Sequence, residues 1–199
     1  MQDPSASAQS LDQFAEIAQA YCEAFEAYQR QASQRFLSEM LPLVGRLYAA
    51  GLALPSLPEL DDHDAGEDED ELAPSWLSAI TLERTTDPDR MTHDDWWPLY
   101  KALSAYLGAR NYYREIFDPY EPVSEKEVTG SLADDLADIY RDLLSGCRKW
   151  SRGERTGAHW EWRFGLESHW GEHATGAIRA IHCLAAWHDL GWPADTGAV

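Results

Sequence analysis

From Leu11 onward, apolar residues recur at helical spacing. Leu11, Phe14, Ala18, Tyr21, Phe25, Tyr28 and Ala32 fall on one stripe, while Glu16, Glu23, Glu26 and Arg30 lie away from it, the mark of an amphipathic helix. Ser10 is placed to cap this helix with its hydroxyl. Residues 1–10 show no such period and are expected to be disordered. A second stripe follows in Phe36, Leu37, Met40, Leu41, Val44, Leu47 and Tyr48. Pro42 removes an amide donor within it and is expected to kink or restart the helix, and Gly51 is a suitable stop.

The pattern then vanishes. Residues 55–74 contain ELDDHDAGEDEDE, with nine acidic residues in thirteen positions, so self-repulsion predicts an extended, mobile loop. A calcium loop fits less well, because the Asp-x-Asp-x-Asp-Gly spacing with its closing Glu is not met. Trp76–Leu82 is expected to form a short helix. A clearer one follows, with Asp94 or Asp95 as cap, Pro98 in the first turn and Trp96, Leu99, Tyr100, Leu103, Tyr106 and Leu107 on its buried face. The stretch NYYREIFDPYEPVSEKEVTG has two prolines and no sustained period, and is read as a long surface connection.

Two further helices complete the pattern. Ser131 with Asp134 approximates a capping box, after which Leu132, Leu136, Ile139, Tyr140, Leu143, Cys147 and Trp150 share one side. Asp135, Asp138 and Asp142 form a ladder on that helix, expected to be a solvated face paired locally by Arg141. The last helix is expected to run unbroken from Ala158 to Leu190, ending at Gly191 with Pro193 beyond. At that length it should be the central element, and Gly165, Gly171 and Gly176 would let neighbours approach it closely.

Charge changes the picture of partners more than of fold. Lys plus Arg number 16 against 35 Asp plus Glu, a net charge of −19, which disfavours direct nucleic-acid binding. No apolar run reaches the roughly 20 residues of a membrane span. The start MQDPSASAQS has no signal-peptide pattern, so the expected location is the cytoplasm. Cys22, Cys147 and Cys183 are well separated and read as reduced packing residues.

Candidate chemistry centres on HWGEH. His169 and His173 project in line with Trp162, Leu166, Ala177, Ala180, Leu184 and Trp187, and imidazoles on an apolar side need hydrogen-bond partners or a metal. The segment matches H-x-x-E-H, in which two histidines hold zinc and the glutamate is the base. That would make His169, Glu172 and His173 the metal candidates, with Asp135, Asp138 or His159 as a third ligand. The reading preferred from sequence is a structural pair hydrogen-bonded to carboxylates or backbone, with no cofactor expected and zinc or another divalent metal as the alternative. Trp162, His169, Trp170, His173, Asp135 and Asp138 together form the candidate pocket or interaction site. His182 and His188 are read as surface or helix-end residues. Of the nine tryptophans, Trp160, Trp162, Trp170 and Trp187 lie on this last helix; most are expected in the core, whereas an exposed cluster would mark a partner surface.

The run AHWEWRFGLESHWGEHATGAIRAIHCL, with SLADDLADIYRDLLSG before it and the opening FAEIAQAYCEAF, resembles a bacterial family known as a domain of unknown function, number five-zero-six-three. The likeness covers Leu11 to Leu190. It implies a stand-alone helical domain and brings no activity, cofactor or catalytic residue with it.

We therefore expect an all-α single domain over residues 11–192, a bundle of five or six helices with a long C-terminal helix, and a tail over 193–199. No GxxxxGK, GxGxxG or GxSxG occurs, which removes the usual nucleotide and serine-hydrolase signatures. The preferred function is a non-enzymatic protein-binding or adaptor module, possible also as a homo-oligomer. The alternatives are a metal-dependent hydrolase built on HWGEH and an acidic DNA mimic that occupies a nucleic-acid-binding partner.

Overall fold

The computed structural model describes residues 4–33, 35–57, 87–116, 120, 128–188 and 190–192. Most of the acidic stretch, the expected helix Trp76–Leu82 and the tail 193–199 lie outside the described residues. Six helices and one two-stranded ribbon make up the described chain, so the domain is all-α with a small β addition. No described helix is long and apolar enough to cross a membrane.

Helix α1 spans Pro4–Arg30. It therefore begins well before Leu11, and residues 4–10 are helical instead of disordered. Proline is at home in a first turn, where its missing amide donor has no partner to lose. The Ala and Ser residues that follow favour no face, which is why apolar periodicity did not reveal them. Ser10 lies inside the helix, its hydroxyl donating to the Ser7 carbonyl at 3.0 Å. Helix α2, Phe36–Leu52, runs through Pro42 as one element and contains Gly51 instead of ending there. A Cβ at Gly51 would come within 2.7 Å of the Trp170 ring, so this glycine serves a close approach.

Helix α3, His93–Leu107, is capped by Thr92, not by either aspartate: the Thr92 hydroxyl accepts from the Asp95 amide. A 3-10 turn at Gly108–Asn111 then leads into strand β1, Tyr112–Glu115, which pairs antiparallel with β2, Val128–Ser131. The sequence predicts only a connection here, because four residues per strand are too few to establish an alternation. Buried Asn111 ties it to the next helix by accepting from the Ala133 amide at 2.8 Å.

Helix α4, Leu132–Ser151, starts at Ser131, whose hydroxyl accepts from the Asp134 amide as the sequence implied. It is the hub, with 14 of its 20 residues buried, and α1, α3, α5 and α6 all pack on it. The expected long rod does not exist. Helix α5, Arg155–Ser168, and helix α6, Trp170–Trp187, are separated at His169, where φ is −157° and ψ −75°. An unbroken helix is therefore corrected to two helices joined at His169, and the central position passes from the C-terminal segment to α4.

Aromatic residues lock α5 and α6 to the hub. Trp162 and Trp170 are fully buried. The Trp162 indole donates to the Leu143 carbonyl at 3.2 Å, and Trp170 donates to the Trp162 carbonyl at 2.9 Å. Phe14 of α1 meets both rings. Trp187 departs from the expected core role, being 73% exposed, and Cys183 is only half-buried, unlike Cys22 and Cys147.

The Trp162 indole lies flat against the backbone at Gly146, so that a Cβ there would collide with its nitrogen. Alanine normally gains about 1 kcal/mol over glycine in a helix interior. Gly146→Ala should instead lose about 2 kcal/mol or more from overpacking, read as a lower urea midpoint at unchanged m-value. A stabilised variant would contradict this packing.

Candidate functional site

The aspartate ladder of α4 is the starting point. Asp135, Asp138 and Asp142 are 5%, 6% and 4% exposed, so the expected solvated face is corrected to a buried one. The helix joint at His169 delivers their partners. His169 Nδ1 donates to Asp142 Oδ2 at 2.8 Å, and His173 Nδ1 donates to Asp135 Oδ1 at 2.9 Å. Each carboxylate thereby fixes one ring orientation and leaves Nε2 facing inward. The two Nε2 atoms stand 3.7 Å and 3.5 Å from Asp138 Oδ2, too far for hydrogen bonds. The imidazoles meet edge to face with centroids 4.7 Å apart.

Further groups support this centre from behind. The Tyr113 hydroxyl of β1 donates to Asp135 Oδ2 at 2.7 Å. Gly176 permits that approach, since a Cβ there would lie 2.5 Å from the same hydroxyl. Arg90 Nη2 lies 3.6 Å from Asp142 Oδ1, and Arg141 Nη2 lies 3.2 Å from Asp138 Oδ1. That last contact is poorly aligned, so Asp138 Oδ1 remains without a hydrogen bond.

The charge states follow from burial and pairing. Burial raises the Asp138 carboxyl, and the positive field of Arg141 only partly offsets it. Burial likewise raises Asp135 despite the donors from His173 and Tyr113. In Asp142 burial acts the same way but loses to the hydrogen bond from His169 and the fields of Arg141 and Arg90, leaving the group below its ordinary value. Burial opposes charge on His173, yet its bond to Asp135 prevails and raises it. Tyr113 is driven well up by burial and then by Asp135. The three carboxylates thus share Arg90, Arg141 and a His173 biased toward its charged form.

The sequence candidates separate cleanly. Asp135, Asp138, His169 and His173 come together. Glu172 does not: it is exposed and lines another depression with Tyr48, Leu52, Arg163, Leu166 and Glu167, which leaves the H-x-x-E-H role of a base unsupported. His159 is also elsewhere, its Nε2 lying 2.9 Å from the Pro55 carbonyl. Trp162 and Trp170 form the floor of the core, not a pocket wall. Arg90 and Tyr113 were not singled out from sequence. One signal for burial was present, because Ile139 lies on the helical line joining Asp135 and Asp142.

Asp142 continues into a second charged group. Arg90 Nη1 lies 3.5 Å from Glu161 Oε2, and Lys149 Nζ donates to Glu161 Oε1 at 2.7 Å and to Asp87 Oδ2 at 2.6 Å. Glu161 is only 3% exposed.

These features define an all-helical domain with a histidine–aspartate centre between α4 and α6. The chain belongs to the family described as a domain of unknown function, DUF5063, whose model matches residues 6–187. It is similar to the crystal structure of protein BF1032 from Bacteroides fragilis, with a TM-score of 0.64 and 17% identity, over 89% of this chain and 93% of that one. At that identity the likeness concerns the fold. Among curated proteins, none matches the chain.

Breaking a buried pair from one side should reveal its weight. Lys149→Met, which strips Glu161 of a 2.7 Å contact, should cost about 3 kcal/mol. Adding Glu161→Gln should restore much of that loss. A double-mutant cycle by denaturant unfolding measures the coupling; additivity within about 0.5 kcal/mol would show that the pair contributes nothing specific.

Proposed function

We propose that this protein binds a first-row divalent metal ion through Asp138, His169 and His173. The observation that carries the reading is the convergence of two inward Nε2 atoms on one carboxylate oxygen at distances too long for hydrogen bonding. One ligand atom from each of the three residues lies within 4.8 Å of the others. Ligands at about 2.0–2.1 Å from a tetrahedral zinc stand about 3.3–3.4 Å apart, so Asp138 is already close to the required separation from both rings.

The surroundings support the same reading. Histidine ligands of metals characteristically donate their other ring nitrogen to a carboxylate, the role filled here by Asp142 and Asp135. Imidazole with one carboxylate suits zinc, iron or nickel better than the harder calcium or magnesium. Three protein ligands leave a coordination position open, and the His169 side chain is 37% exposed, so solvent can reach the centre. An open position of this kind suits activation of a bound water. The reaction class that fits is metal-assisted hydrolysis without Glu172.

Elemental analysis after loading with zinc and dialysis should find about one metal per chain, and His169→Ala with His173→Ala should remove it. Asp138→Asn should abolish loading, while Asp142→Asn should weaken affinity by about 10–100-fold. Zinc at a hundred times its Kd should add about 2.7 kcal/mol of stability, a rise in Tm of about 5–10 °C for a chain of this size. Absence of metal and of any thermal shift with zinc, iron, manganese and nickel would leave a purely structural histidine pair.

A protein-binding role retains one specific observation. Trp187 and Trp192 are 73% and 58% exposed and flank His182, and exposed tryptophans are common anchors of interfaces. If they join copies of this chain, sedimentation velocity should show concentration-dependent association that Trp187→Ala with Trp192→Ala removes. Monomers of both forms at all concentrations would refute the homotypic version.

A further inference from the structure

A groove of about 570 Å3 runs between the start of the β-ribbon and α6, and of the groups around the aspartate ladder it is lined by Tyr113. Its volume falls within the range of small-molecule sites. Arg110, Arg114, Arg179 and His188 contribute the ionisable nitrogen groups of its lining, and among the described residues no carboxylate lines it. That composition stands out in a chain of net charge −19. The field of Arg179 reaches Glu115 nearby. Even so, neither Arg110 nor Arg179 makes an ion pair among the described residues. The remaining wall is apolar or aromatic, with Tyr112, Leu184 and Leu190.

We infer that this groove binds a small organic phosphomonoester, its dianion held by Arg110 and Arg179 and its apolar part lying on Tyr112 and Leu184. Guanidinium groups match phosphate oxygens in geometry as well as charge, and two of them balance one dianion. His188 at the end of α6 offers a further donor. In a strongly acidic protein an anion would be repelled from most of the surface, so a cationic, partly apolar recess concentrates such a ligand at one place. The inference does not depend on metal binding, because none of the three proposed metal ligands lines the groove.

Cys183 supplies a reporter. It lines the groove and is half-buried, whereas Cys22 and Cys147 are buried, so a mild alkylating agent should modify Cys183 first. The probe is phenyl phosphate, added to the full chain at constant ionic strength. At ten times its Kd, occupancy should slow alkylation of Cys183 about tenfold by mass action. Arg110→Ala with Arg179→Ala, both at exposed positions, should abolish the protection while leaving Tm unchanged. Inorganic phosphate should protect only at higher concentration, because it cannot use the apolar wall. Protection that sodium chloride reproduces, that survives the double substitution, or that benzoate provides equally well would overturn the assignment. So would unchanged alkylation at saturating probe. The same measurements on Asp138→Asn should give full protection, which separates failure here from failure of the metal reading.

Discussion

Three carboxylates buried along one helix constrain much of the rest of this structure. A carboxylate removed from water is costly unless charge and donors meet it, and α4 hides Asp135, Asp138 and Asp142 together. Their compensation comes from separate parts of the chain: Arg90 ahead of α3, Arg141 on α4 itself, Tyr113 on the ribbon, and two imidazoles at the start of α6. The elements around α4 are thus tied by charge as well as by apolar contact. The order α3, ribbon, α4, α5, α6 is the order in which the chain brings these partners to one face.

That constraint also gives the centre its chemistry. With both imidazoles charged, two protons balance two carboxylates; with both neutral, one dication carries the same charge. If the proposed metal binds, its charge would replace that of the imidazole protons, and its uptake would release them. Asp138 is the carboxylate with the least hydrogen bonding and the most to gain. A purely architectural pair would be expected to complete its hydrogen bonds, and the Nε2 atoms do not do so with Asp138.

The sequence made the helices legible and left their ends and one joint obscure. Apolar periodicity located α2, α3 and α4 and the cap at Ser131, because those faces alternate strongly between apolar and charged. It missed residues 4–10, where Ala and Ser mark no face, and the ribbon, where four-residue strands carry too little pattern. It could not see the break at His169, since the stripes on both sides continue in phase and a single residue carries the turn. For the site, the spacing of His169 and His173 and of the three aspartates was visible, but their meeting was not. Asp residues at helical spacing look the same whether water or imidazole faces them. Arg90 and Tyr113 belong to segments with no motif at all.

The joint at His169 has a geometric reason. A single rod from Arg155 to Trp187 would extend about 50 Å at 1.5 Å per residue, whereas the 20 residues of α4 span about 30 Å. Such a rod would overshoot its hub, and its halves could not both lie on it. The break at His169 lets the chain change direction while Trp162 of α5 meets the Leu143 carbonyl and His173 of α6 meets Asp135, farther toward the start of α4, so both helices bury against the same hub. Gly171 makes the break possible, because any Cβ there would strike the Leu166 carbonyl. The residue at the break then faces α4 from just ahead of α6, and there the chain has histidine. Folding geometry and site geometry thus meet in one residue: the break that completes the core is what turns His169 toward Asp142.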